Sequence, residues 1–183
     1  MAWDSRGLRG STLEEIINMT NEGYRKKGLA VIQKVPTPIT PVRVDNESRN
    51  ITLAYFEQKS TVDYIGAVQG IPVCFDAKET SSARLPIQNI HPHQIDFMRD
   101  FERQGGLAFL LVHFKLTDEY FLLPCGVLAE IWQSAQNGGR KSIPIEAFDR
   151  ELLISNKAGY YLHYLEAVNV YLQRKDSLGE KRS

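Results

Sequence analysis

The sequence predicts an α/β domain in which a central mixed β-sheet is flanked by helices and interrupted by a projecting stalk. Three observations carry this. Segments with helical spacing of apolar residues alternate with short runs rich in β-branched and aromatic residues. A proline-punctuated stretch from about 36 to 50 breaks that alternation. The length, 183 residues at about 150 per domain, leaves room for one domain, 1–183, and no second catalytic unit.

In order along the chain, Ser11 and Glu14 form a capping-box pattern, and Leu13, Ile16 and Ile17 begin an amphipathic helix over about 12–27, stopped by Gly28. Leu29 to Gln33 reads as a buried strand ended by Pro36. Pro36, Pro38 and Pro41, then polar 45–50, give the stalk as a protruding loop or hairpin. Ile51 to Phe56 and Thr61 to Val68 are strands, and a turn at Gln69-Gly70 leads into a strand over Pro72 to Lys78. A helix over Pro92 to Arg103 precedes strands at 107–114 and 120–123. Helices follow over about 126–136 and, rich in Tyr160, Tyr161, Tyr164 and Tyr171, over about 159–174. The polar residues 174–183 read as a frayed tail.

Composition narrows function. Twenty-two basic and 22 acidic residues cancel, so any polyanion must meet a local basic patch. The longest apolar run, Leu107 to Val112, is far too short to span a bilayer, and the first residues open no signal peptide. Cys74 and Cys125 stand in apolar segments and read as buried hydrophobes of a reducing, cytosolic compartment. The three N-x-[ST] sequons at Asn18, Asn46 and Asn50 are then incidental. No phosphate loop and no G-x-S-x-G nucleophile is present, so nucleotide hydrolysis and Ser-His-Asp chemistry are not supported.

Chemistry concentrates around Asp63 and Asp76-Ala77-Lys78. Side chains two apart on a strand share a face, so Asp76 and Lys78 point one way while Phe75 and Ala77 point the other. Asp63, on the neighbouring hairpin arm with Thr61 on its face, brings a second carboxylate. Converging carboxylates suit a hard divalent cation such as magnesium, and a lysine beside them can orient a water. The plain alternative is an ion pair on a half-exposed strand.

The spacing Asp63 to Asp76-x-Lys78 across strand, turn and strand resembles the PD-(D/E)xK nuclease signature. The surrounding words resemble RecU-type Holliday junction resolvases from about residue 6 to 165: Arg6-Gly7 and Gly10-x-Thr12-Leu13-Glu14, Lys34-x-Pro36-Thr37-Pro38, Ala54-Tyr55-Phe56, and Ser60-Thr61-x-Asp63-Tyr64. The order continues with Ala77-Lys78-Glu79-Thr80, Pro86-x-Gln88-Asn89-x-His91-x-His93-Gln94 and Asn137-Gly138-Gly139-Arg140-Lys141-Ser142-Ile143. The resemblance implies a restriction-endonuclease-like fold and a homodimer that nicks four-way DNA junctions symmetrically with Mg²⁺, for which Mn²⁺ substitutes, leaving 5′-phosphates. It implies a cytoplasmic, nucleoid-associated protein, with a recombinase and a branch-migration helicase as partners.

Carried over by position, Asp63, Asp76 and the Ala77 carbonyl are metal ligands, with Thr61 and Glu14 as further candidates. Lys78 serves the water and the transition state, and Gln94 positions a water, the metal or the scissile phosphate. Glu14 reads more readily as the capping-box acid. Arg9, Arg49, Arg140 and Lys141, and more weakly Lys34 and Arg84, are phosphate contacts, and Tyr55 stacks on a base or packs beneath the stalk. Three features depart from the family pattern: Asp76 stands where Glu is usual, Asp45-Asn46-Glu47 puts acid at the stalk tip beside Arg43 and Arg49, and only Arg6 and Arg9 precede the first helix. His91-Pro92-His93 reads as a helix start rather than a zinc site, lacking a third ligand.

Overall fold

The computed structural model describes residues 12–45, 47–56 and 61–180. Arg6, Gly7, Arg9, Gly10, Ser11, Asn46 and Ser60 lie outside them. A six-stranded sheet has the order β1 (Val31–Lys34), β4 (Tyr64–Val68), β5 (Ile71–Thr80), β7 (Leu107–Phe114), β8 (Glu119–Pro124) and β10 (Leu153–Ile154). Only β5 and β7 run parallel, and every other neighbouring pair is antiparallel. The sheet is therefore mixed, as the sequence predicts. A parallel pair needs a long crossover, and here it contains β6 (Arg84–Pro86) and α2 (Pro92–Arg103).

Two cores cover the two faces. Phe75, Phe109 and Leu111 pack against Ile17 and Tyr24 of α1 (Leu13–Lys26) and Tyr164 of α4 (Tyr164–Glu180). Tyr64, Phe75 and Phe109 stack in a row with ring centroids 4.7 and 4.9 Å apart. On the other face, Cys74, Leu110 and Val112 pack against Ile95 and Met98 of α2 and Leu128 of α3 (Cys125–Gln136). Asp76 follows Cys74 by two residues and so belongs to this second face. Both cysteines are free and buried, and burial pushes their thiols up to about 12, so they act as the small hydrophobes expected.

The stalk is a hairpin of its own, β2 (Ile39–Asp45) with β3 (Asn50–Phe56), bulged around Arg43. It takes in the whole segment Ile51 to Phe56, so it reaches to 56 rather than 50. Pro41 is tolerated because a two-stranded ribbon has two edges. A second small ribbon pairs β6 with β9 (Ser142–Pro144).

Several expectations are corrected. The strand after α1 is not buried: as the sheet's edge it has one neighbour, and Val31 is 63% exposed. The helix cap is Thr12, whose hydroxyl accepts from Glu15 N while Glu15 accepts from Thr12 N at 2.7 Å, one residue later than the Ser11–Glu14 box. Residues 61–63 precede β4 rather than belonging to it. The last helix starts at 164 because Ala158 and Gly159 have positive φ of 53° and 82°, which a right-handed helix cannot include, and it runs on to 180 where a frayed tail was expected. Tyr160 and Tyr161 precede it, and Tyr164 gives its hydroxyl proton to Asn21 of α1.

Candidate active site

The hairpin ladder between β4 and β5 ends at the pair Tyr64–Phe75. Beyond it β5 has no partner strand on that side among the described residues, and two carboxylates take the place of the missing backbone. Asp63 Oδ2 accepts the Ala77 N–H at 2.9 Å, and Asp76 Oδ1 accepts the Asp63 N–H at 3.2 Å. The two acids are thus fixed against each other by reciprocal bonds rather than by chance of rotamer. Asp63 is pinned from its other side by the Val35 N–H, which donates to its carbonyl at 2.8 Å. Val35 is the residue that sequence reasoning missed; the signal was Pro36, which ends the edge strand and leaves Val35 as its last N–H donor.

Asp76 is fully buried. Its Oδ2 pairs with the Lys78 ammonium, which confirms that the two side chains share a face, and it accepts from Gln94 Nε2 at 2.8 Å. Burial pushes the Asp76 carboxyl up to about 7, the hydrogen-bonded Asp63 carboxyl adds to the rise, and Lys78 opposes it. A buried acid that touches a second acid, with one ammonium paired to it, offers the hard oxygen donors that a divalent cation takes. Asp63 and Asp76 are of the donor type such an ion takes, and no third carboxylate, histidine or cysteine joins them in a cluster among the described residues.

Gln94 stands at the third position of α2 and satisfies both ends of its amide: Oε1 accepts the His91 N–H at 3.1 Å while Nε2 grips Asp76. One side chain therefore caps the helix and aims the carboxylate. We expect Gln94→Leu to weaken metal binding by about 10- to 100-fold, as loss of a supporting hydrogen bond to a ligand commonly does. Titration of the metal-free protein with Mn²⁺ measures it, and unchanged affinity would remove Gln94 from the site.

The other candidates fall elsewhere. Thr61 is exposed and outside β4, so the alternation that would align it with Asp63 does not reach it. Glu14 is not the capping acid and forms no metal-holding cluster among the described residues; its carboxylate pairs with Lys34 at 2.5 Å, so these two candidates are occupied with each other. They still border the site, since the Tyr64 hydroxyl donates to the Glu14 carbonyl at 3.5 Å. Arg49, with φ 56°, and Tyr55, 58% exposed, are on the stalk. The acid at the tip is structural: Asp45 accepts from Glu47 N and Ser48 Oγ, and those bonds hold its carboxyl below the usual range. Lys141 donates to the Ala135 carbonyl near the C-terminus of α3, whereas Arg140 is exposed beside it. Arg84 donates to Ser142 Oγ at 2.9 Å across the β6–β9 ribbon. Arg9 lies outside the described residues. His91 and His93 stack with centroids 5.4 Å apart at the start of α2.

Residues 8–170 match the family described as RecU, Recombination protein U. The chain is similar to the Holliday junction resolvase RecU of Pediococcus pentosaceus, 42% identical over 179 residues that make up 95% of this chain and 86% of that one. It is similar to the Holliday junction resolvase RecU of a Geobacillus species, 45% identical over 148 residues, 79% of this chain and 74% of that one. Among solved structures it is similar to Archaeoglobus fulgidus Hjc, a Holliday junction resolvase from an archaeal hyperthermophile, with a TM-score of 0.39 and 10% identity over 62% of this chain and 77% of that one.

Proposed function

This chain belongs to the RecU family, and from that premise we propose that it is a Holliday junction resolvase, an endonuclease that nicks four-way DNA junctions in recombination and repair. The observation that carries the chemistry is the buried Asp76 carboxylate, held by Lys78, Gln94 and Asp63 at the end of the β4–β5 ladder.

Asp63 and Asp76 hold a magnesium ion, for which manganese substitutes. Bound there, the ion supplies charge neutralisation at the phosphodiester and acidifies a water. The protein's own groups do the rest. Gln94 and the Asp63 N–H keep Asp76 in one orientation without any side-chain search at the moment of reaction. The Lys78 ammonium, only 16% exposed, is placed to orient the attacking water and to meet charge that develops on the phosphate. The water oxygen bonds to phosphorus and the bond to the 3′ oxygen breaks, leaving a 5′-phosphate and a 3′-hydroxyl that a ligase can rejoin.

Paired cuts in opposing strands need two equivalent sites, which a two-fold homodimer supplies. The exposed cations Arg49 and Arg140, with Lys34 once it leaves Glu14, contact phosphates, and exposed Tyr55 on the stalk stacks on a base at the opened crossover. A recombinase and a branch-migration helicase act on the same junction. No helix among the described residues is long and apolar enough to cross a membrane, which suits a cytoplasmic, nucleoid-associated enzyme.

The test compares a mobile four-way junction with linear duplex of the same sequence in Mg²⁺. Paired symmetric nicks in the junction and intact duplex are expected. Equal cutting of both would make the protein a general nuclease of this fold, and tight binding with no cutting in either Mg²⁺ or Mn²⁺ would make it a junction-binding protein.

A further inference from the structure

The short ribbon of β6 with β9 lies on the side of the sheet that carries the acids. Leu85 and Ile143 face each other across it and are buried in the same core as Cys74 and Leu110, the core of the Asp76 face. Alternation then turns Arg84, Pro86, Ser142 and Pro144 outward, and Arg84 is exposed. Asp76, Lys78 and Thr80 project from one face of β5, each about 7 Å beyond the last. The Thr80 hydroxyl donates to the Arg84 carbonyl at 3.0 Å, so Arg84 stands just past the end of the strand that holds Asp76 and Lys78.

Arg84 is held on both its backbone and its side chain. Its carbonyl also accepts the Ser82 hydroxyl at 2.8 Å, and the Ser82 oxygen accepts the Arg84 N–H at 3.1 Å. Its Nε donates to Ser142 Oγ at 2.9 Å, which fixes the plane of the guanidinium. The two terminal nitrogens enter no ion pair among the described residues, so their donors stay available to an oxyanion. Its cationic neighbours differ: Lys115 is paired with Glu79, and Lys141 donates to the Ala135 carbonyl. The ribbon does not need the guanidinium to stay closed, since three ladder pairs and the buried Leu85 and Ile143 hold it.

We propose that Arg84 is a positioning residue for junction cleavage, its guanidinium clamping a backbone phosphate of the strand being cut, on the Thr80 side of the scissile phosphate. The inference rests on the resolvase reading and gives Arg84 a part in setting which phosphate lies over Asp76. An arginine whose plane is fixed at Nε presents its remaining donors as a preset fork, the geometry in which phosphate is bound by two parallel hydrogen bonds. Holding a neighbouring phosphate brings the reacting one into register without touching it.

The test uses the full chain and a fixed four-way junction, with binding measured from 50 to 200 mM salt and cleavage in Mg²⁺. Arg84→Ala should raise KM about tenfold with kcat within about threefold, the pattern of lost uniform binding. It should also flatten the slope of log affinity against log salt by about 0.9, the share of one phosphate. Arg84→Lys should keep the slope but bind about threefold more weakly, and Ser142→Ala should resemble it, because both keep the charge and lose the aim. Arg103→Ala, which removes an exposed cation at the other end of α2, should match the parent. Unchanged melting temperatures in all four would show that the ribbon is intact. Parent KM and parent slope in Arg84→Ala would make Arg84 a brace of the ribbon and overturn the proposal. Full recovery in Arg84→Lys would reduce it to unspecific charge, and a loss confined to junctions of one sequence would make it a reader of bases; either overturns the clamp. A parent that binds the junction and never cuts it would sink the resolvase reading alone, and the salt slope would still decide on Arg84.

Discussion

We expect Asp63→Asn protein to bind a four-way junction as tightly as the parent and to nick it at least about a thousandfold more slowly, because groups that act as one catalytic unit lose most of the rate when any one is removed. Asparagine is the informative replacement here. Its side-chain oxygen can still accept the Ala77 N–H, the bond that closes the hairpin ladder beyond Phe75. The substitution therefore removes the negative charge and keeps the acceptor. Asp63→Ala removes both and leaves the Ala77 N–H without its partner, so it should lose some stability as well, about 1–3 kcal/mol. Single-turnover cleavage and gel-shift binding, measured on both variants in Mg²⁺ and Mn²⁺, separate the two effects. Cleavage by Asp63→Asn within about tenfold of the parent would remove Asp63 from the catalytic centre.

The second large effect is on stability and pH. In the metal-free fold Asp76 holds its proton up to about 7, chiefly because it is buried, whereas in the unfolded chain it loses it near 3.8. Between those values the folded chain carries a proton that the unfolded chain has lost. Stability contributed by Asp76 is therefore fully present below 3.8, declines as pH rises, and is gone above about 7. A shift from 3.8 to about 7 corresponds to roughly 4 kcal/mol at most. Urea midpoints in chelator should fall across this window for the parent and stay flatter for Asp76→Asn. Magnesium should reverse the trend, since the ion needs the ionised carboxylate, and its affinity should drop about tenfold per pH unit below 7. Superimposable stability curves for parent and Asp76→Asn would show that the carboxyl titrates as an ordinary surface acid.

What the sequence made legible follows from which interactions are local. Strand alternation placed Asp76 and Lys78 on one face of β5, and helical spacing with Pro92 at its start gave α2 its observed limits, because both patterns depend only on neighbours along the chain. The cap of α1 was misplaced by one residue because Ser11-Thr12-Leu13-Glu14-Glu15 contains two overlapping boxes, and only the backbone turn chooses between them. The exposure of β1 was invisible because it depends on strand order, a property of the whole sheet. Glu14 and Lys34 were separate candidates in sequence, and the fold joins residues 20 apart into one ion pair. The double role of Gln94 needed α2 and β5 in contact before it could be seen.

The stalk hairpin has only two strands, no third strand and no covering core, and it exposes Ile39, Val42, Val44, Ile51, Leu53 and Tyr55. Isolated two-stranded ribbons are marginally stable in water. Its amides therefore exchange with solvent through local openings that cost far less than unfolding the six-stranded sheet, and the two parts behave as separate cooperative units. The ribbon can melt and reform while β4, β5 and α2 keep the carboxylates in register. Motion of the stalk is thereby uncoupled from the geometry around Asp63 and Asp76.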